Sequence, residues 1–139
     1  MTWGYAAPRT LDDAVALLAR TPGGRVLAGG HRLLVEPMRS RLAPALLVDL
    51  GKIASLTGIE RRGDGTLKIG AMTTLAAVAA NDAIRSVWPV LSDAARAGAD
   101  AQTGNRATIG GSLAAADPET DLPAVLLALV ASIEVTGSS

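Results

Sequence analysis

The chain has 139 residues, of which thirteen are basic and thirteen acidic, and 49% are hydrophobic. That length suits one ordinary domain or two small lobes sharing a core, and it buries enough surface to need no covalent staple. Zero cysteines exclude a disulfide, a thiolate nucleophile and an iron–sulfur ligand set within the chain, and the balanced charge leaves no electrostatic footprint for nucleic acid.

Thr10-Leu11-Asp12-Asp13 reads as a helix start, with a hydroxyl cap and acids in the first turn. Leu11, Val15 and Leu18 recur at helical spacing until Thr21-Pro22-Gly23-Gly24 ends the run. Arg25 to Ala28 is expected to be a short buried strand that delivers the glycine pair Gly29-Gly30. A short helix is predicted over Leu33 to Met38, broken by Pro37, and then a strand over Leu46 to Leu50. Thr57 to Glu60 and Leu67 to Gly70 flank Arg61-Arg62-Gly63-Asp64-Gly65 and predict an antiparallel hairpin.

Thr73-Thr74 caps an alanine-rich helix over Leu75 to Ala80, and a further helix is predicted from Trp88 to Ala97. Ala101 to Ser112 is polar, glycine-bearing and aperiodic, and is expected to be a loop. A helix behind Asp121 runs from Leu122 to Leu129, and Ser132 to Thr136 is expected to be a closing strand. The aromatic residues are Trp3, Tyr5 and Trp88 alone, so the core must be built from Leu, Val, Ile and Ala. The longest apolar stretch, Leu122 to Ile133, is interrupted and too short to span a bilayer, and the N-terminus lacks the pattern of a signal peptide. A cytoplasmic, soluble protein with no membrane segment is the expectation.

Two glycine pairs carry the chemistry. Ala28-Gly29-Gly30-His31-Arg32 and Thr108-Ile109-Gly110-Gly111-Ser112 each follow a short apolar run and lead toward helical sequence. Glycine permits positive φ and close approach of a ligand to the main chain, and free N–H groups at a following helix favour a phosphate. The expectation is therefore of bare backbone amides aimed at a small anion, with the two turns gripping the two phosphates of one dinucleotide. Neither turn is a Rossmann fingerprint or a P-loop. His31 is the single histidine and has no companion ligands at metal-binding spacing, so no metal site is expected. No nucleophile–base pair marks a catalytic residue. Asp117 and Asp121 follow the second turn; Asp121 either caps the next helix or accepts hydrogen bonds from sugar or ribityl hydroxyls.

In order, Ala28 to His31, Met38 to Leu42, Leu47 to Leu50, Ile69 to Thr74 and Gln102 to Leu113, trailed by Asp117-Pro118 and Asp121 to Ala124, resemble the flavin-binding landmarks of the molybdenum hydroxylase flavoproteins. These are the medium subunits of carbon monoxide dehydrogenases and the matching domains of xanthine dehydrogenases. The resemblance implies an α+β, PCMH-type FAD-binding fold with a small N-terminal α/β lobe over residues 1–55. A larger mixed-sheet lobe with helices would follow over residues 56–139, incomplete at its end, with the C-terminal flavoprotein domain absent. It implies FAD as cofactor, held by Ala28, Gly29, Gly30, His31 and Arg32 and by Thr108, Ile109, Gly110, Gly111 and Ser112, with Asp121 near its sugar or ribityl hydroxyls. Its implied role is electron transfer, between partners of the iron–sulfur small-subunit and molybdenum large-subunit type, with a homo-oligomer also open. Arg32 stands where the family usually has a small hydroxyl or acidic residue. The alternative is a chain that keeps the fold but serves as a binding module or small enzyme for another ligand.

Overall fold

Three short parallel strands form the first sheet of the computed structural model, which describes residues 4–30, 44–98, 105–116 and 120–137. Strands β1 (Gly4–Ala6) and β2 (Gly24–Leu27) each pair in parallel with β3 (Leu46–Asp49), giving the order β1-β3-β2. Helix α1 (Leu11–Arg20) carries the chain from β1 to β2 across the central strand. Its N-cap Thr10 accepts a hydrogen bond from the Asp13 N–H at 3.2 Å, as the hydroxyl-and-acid pattern predicts. Ala14 is buried with Val48 and Ile53, and Leu17, Leu18 and Leu46 pack against that cluster.

Strand β2 is not the buried strand expected over Arg25 to Ala28. It lies at the edge of the sheet, Arg25 and Val26 are exposed, and Ala28 already belongs to the turn. An apolar run cannot by itself separate a central strand from an edge strand, and here the central place goes to β3, where Leu47 and Val48 are buried. The helix expected over Leu33 to Met38 falls outside the described residues.

Two single 3-10 turns, Leu50–Lys52 and Ala54–Leu56, lead to the predicted hairpin. Strands β4 (Ile59–Arg61) and β5 (Leu67–Ile69) pair antiparallel with Ile59 opposite Ile69. In the connecting turn the Asp64 carboxylate accepts the Thr66 hydroxyl at 2.6 Å and its N–H at 2.9 Å. Those bonds hold the Asp64 carboxyl below its ordinary value, the hydroxyl contributing most.

Five helices complete the described chain: α2 (Leu75–Ala80), α3 (Asp82–Val87), α4 (Pro89–Ala97), α5 (Ile109–Ala115) and α6 (Leu122–Ala128). Helix α3 has no counterpart among the expected elements. Its signal was the Asn81 cap, whose side chain accepts the Ile84 N–H at 3.0 Å and separates two short helices. Helix α5 begins inside the expected loop Ala101 to Ser112. Two consecutive glycines disfavour a helix, but the Thr108 cap and burial of Ile109 outweigh that local preference. The closing strand expected over Ser132 to Thr136 is absent: residues 131–137 are exposed and enter no sheet. Alternation of Ile133 and Val135 makes a strand pattern, but a strand also needs a partner ladder.

The larger core joins Leu75, Val78 and Ala79 of α2 to Ile84, Leu91, Ala94, Ala95, Ile109 and Leu122. Alanines on α2 and α4 let these helices pack closely without aromatic side chains, and the buried Ser92 hydroxyl donates to the Ala79 carbonyl at 2.8 Å. Ile84 is fully buried, so Ile84→Ala is expected to destabilise the chain by about 3 kcal/mol through lost burial and a residual cavity. A denaturant titration checks this as a lowered midpoint with an unchanged slope.

Candidate functional site

In a parallel sheet the carboxyl ends of all strands lie along one edge, and ligands of open α/β sheets bind beyond that edge. The first glycine turn leaves β2 at that edge. Gly29 and Gly30 have φ of +68° and +78°, and the Gly30 N–H donates to the Ala28 carbonyl at 2.8 Å. This is a three-residue γ-turn centred on Gly29, a backbone shape that side-chain-bearing residues rarely adopt. Among the described residues the Gly29 N–H has no hydrogen-bond partner.

The neighbouring strand ends nearby, with Asp49 in register with Leu27. The Asp49 carboxylate accepts the Tyr5 hydroxyl at 2.6 Å and the Gly51 N–H at 2.8 Å. The hydrogen bond to Asp49, then slight burial and the carboxylate charge, raise the Tyr5 hydroxyl above its ordinary value. Because the folded value is raised, the stabilising effect of this bond is complete below about pH 10 and fades as pH rises through the folded value. Tyr5 is the single tyrosine of the chain. An alkaline absorbance titration is expected to place its midpoint above about 10, and Asp49→Asn to return it toward that figure.

The second turn is built differently. Thr74 and Thr108 face each other in an isolated antiparallel bridge. The Leu75 N–H donates to the Ala107 carbonyl at 2.8 Å and the Ile109 N–H to the Thr73 carbonyl at 3.0 Å. Each bridged threonine also caps the helix that follows it: Thr74 accepts the Ala77 N–H at 3.2 Å and Thr108 the Gly111 N–H at 3.1 Å. Gly110 donates its N–H to the Ala71 carbonyl at 2.9 Å. Ile109, Gly110 and Gly111 therefore do not present the bare amides expected from the sequence. A helix start leaves such donors orphaned, but here the bridge, the cap and Ala71 supply acceptors from within the chain.

The two turns meet. A Cβ added at Gly29 would run into the Arg106 carbonyl and lie 3.4 Å from the Thr108 methyl. One added at Gly111 would lie 2.8 Å from the Thr108 hydroxyl and 3.3 Å from the Ala28 carbonyl. At Gly110 it would lie 2.7 Å from both Cβ and O of Ala71. Ala28, Gly29, Thr108 and Gly111 are thus brought together, while the Ile109 side chain turns into the core. Ser112 is half-buried, and among the described residues its hydroxyl has no partner. Asp121 occupies the N-cap position of α6, but its carboxylate makes no capping bond and is exposed. His31, Arg32 and Asp117 lie outside the described residues.

Ala71, Thr73 and Thr74 lie within the landmark Ile69 to Thr74 but outside the expected site residues, and the structure adds them to this site. Thr73 is buried, and its hydroxyl both donates to the Gly58 carbonyl and accepts the Gly58 N–H, each at 3.0 Å. The available signal was a threonine before an apolar helix start at both Thr74-Leu75 and Thr108-Ile109. Among the described residues no group of three or more His, Asp or Glu side chains is placed to hold a metal ion, and no helix is long and apolar enough to cross a membrane. A separate groove of about 350 Å³ beside α1, lined by Pro8, Asp13, Leu17 and Arg20 among others, contains none of the glycine-turn residues.

Comparison with known proteins agrees with the resemblance. Residues 1–139 match the family model described as the FAD binding domain in molybdopterin dehydrogenase. The carbon monoxide dehydrogenase medium chain of Afipia carboxidovorans is 41% identical over 138 residues, which cover 98% of this chain and 47% of that protein. The nicotine 6-hydroxylase medium subunit of Paenarthrobacter nicotinovorans is 39% identical, over 94% of this chain and 46% of its own length. A solved structure of carbon monoxide dehydrogenase from Hydrogenophaga pseudoflava, lacking the Mo-pyranopterin moiety of the molybdenum cofactor, superposes with a TM-score of 0.85 at 38% identity, covering 90% of this chain and 44% of that one. The chain spans about half the length of the curated relatives it matches. It belongs to the FAD-binding domain family of the molybdopterin dehydrogenases.

Proposed function

We propose that this chain binds FAD where its two glycine turns meet and serves as the flavin module of a molybdenum hydroxylase-type oxidoreductase. The observation that carries the reading is the first turn: a Gly29 N–H with no partner among the described residues, in a turn with two positive φ angles, at the carboxyl edge of a parallel sheet. A donor of that kind suits a pyrophosphate oxygen, and the lack of side chains lets the phosphate reach the main chain. Ala28, Gly29 and Gly30, continuing to His31 and Arg32, form one wall of the proposed site. Thr108 to Ser112 form the other, with the Ser112 hydroxyl as its open donor and Asp121 as acceptor for sugar or ribityl hydroxyls.

Bound FAD would supply the electron-carrying chemistry, and the chain's residues would bind and orient it. With no cysteine, the chain has no thiolates to hold an iron–sulfur cluster, so in this reading the metal centres of such a system are carried by other proteins. We therefore propose an iron–sulfur protein and a molybdenum protein as its redox partners. A cytoplasmic location fits this reading, which rests on family membership and not on a targeting signal.

The purified chain is expected to carry the yellow flavin spectrum or to quench FAD fluorescence saturably on titration. No bound flavin together with no saturable quenching contradicts the reading. Gly30→Val places a β-branched residue at φ +78° and should weaken FAD binding by about tenfold or more, since strain of about 1–3 kcal/mol falls on the turn itself. Gly63→Ala serves as control, because nothing lies within 4 Å of the added methyl. Asp121→Ala should weaken FAD binding yet shift unfolding by less than about 0.5 kcal/mol, because the carboxylate caps nothing. A large stability loss with unchanged FAD affinity would make Asp121 a structural residue only.

A further inference from the structure

We infer that Arg106 is a cofactor-binding side chain: its guanidinium meets the FAD pyrophosphate beside the Gly29 turn and makes affinity depend on the phosphates. The inference rests on the FAD reading for the identity of the ligand. Three observations carry it.

The first is position. A Cβ added at Gly29 would run into the Arg106 carbonyl, so the main chain of Arg106 lies directly against the turn. The Gly29 N–H in that turn has no partner among the described residues. The Arg106 side chain therefore starts beside the donor proposed for a phosphate oxygen, whereas Arg25 sits four residues back from Gly29 on the edge strand β2.

The second is availability. Arg106 is exposed and, among the described residues, its side chain has no hydrogen-bond or ion-pair partner. Arg85 and Arg96 show the usual alternative, each paired with the aspartate three residues earlier, at 3.5 and 3.4 Å. No Asp or Glu stands within four residues of Arg106 on either side, so its own stretch of sequence supplies no such partner.

The third is charge. The pyrophosphate of a dinucleotide is doubly negative, and a main-chain N–H carries no net charge. The sheet brings Asp49 to this edge, in register with Leu27, and its carboxylate opposes a phosphate. A guanidinium offsets that opposition and presents five N–H donors in a planar fork that matches phosphate oxygens. The Gly29 amide fixes where an oxygen sits, and Arg106 adds an attraction that salt screens.

Arg106→Gln removes the charge and keeps a polar side chain. Fluorescence titrations of the unmodified chain and of this variant, with FAD and with riboflavin, test the inference. At low salt the variant is expected to bind FAD about tenfold more weakly, the loss of one charge-assisted contact. The gap should shrink at high salt, and Arg106→Lys should restore part of the affinity. Riboflavin has no phosphate and should not distinguish the proteins. Equal FAD affinity at low salt overturns the inference. So does a loss that is the same for riboflavin or undiminished by salt, since Arg106 would then act through the fold.

Calorimetric titration with inorganic pyrophosphate separates this inference from the FAD reading. If the unmodified chain takes up no FAD yet binds pyrophosphate more tightly than Arg106→Gln does, the FAD reading fails and the anion contact stands. If FAD binds and Arg106→Gln alters neither titration, the FAD reading stands and the inference falls. Binding of neither ligand ends both. The Arg106 Nε–H resonance of the unmodified chain covers a variant that does not fold. It is expected to shift saturably with FAD, and a fixed resonance while Gly29 shifts overturns the inference.

Discussion

Everything around the candidate site depends on one contact, that between two stretches of main chain with no side chain between them. The γ-turn at Ala28-Gly29-Gly30 rests against Arg106, Thr108 and Gly111, and the same Thr108 is pinned to Thr74 by an antiparallel bridge. From that bridge α2 and α5 set out, each with its threonine cap, and both deliver residues to the larger core. Thr73 ties the bridge back to Gly58 and so to the hairpin. Backbone packed on backbone admits little adjustment, because protein interiors are dense and a single added methyl is felt.

This constraint explains a feature of the composition. The chain is rich in glycine and alanine and almost free of aromatics. Large rings fill volume, but here helices and turns must approach closely, and Ala71, Ala79, Ala94 and Ala95 stand at those approaches. The same economy applies to charge. A chain with no net charge can still hold a dinucleotide when its contacts are main-chain donors and hydroxyls, which act at short range and need no basic patch. In the proposed site the two motifs would share the binding between them. The first offers an amide with no partner among the described residues, and the second would supply the Ser112 hydroxyl.

Much of this was legible in the sequence. The Thr10 cap, the hairpin, the Thr74 cap and the helix over Pro89–Ala97 all follow from local chemistry, and all are present. The readings that went astray depend on partners distant in the chain. Val26 and Leu27 do not reveal that β3 takes the middle of the sheet, and Ile133 and Val135 alternate without finding a strand to join. Gly110-Gly111 looked like loop because glycine is a poor helix former, and only the bridge from Thr74 shows why a helix starts there. The glycine pairs stand out at once, but why each glycine is needed does not. Positive φ at Gly30 and steric contact at Gly111 leave the same letters in the sequence.

Backbone amide spectra of the chain during an FAD titration test the central claim most directly, because each glycine reports for itself. The account predicts saturable shifts at Gly29 and Gly30, accompanied by Ser112, with the groove beside α1 unmoved. Shifts confined to residues such as Asp13 and Leu17, or no saturable shift anywhere, would contradict it.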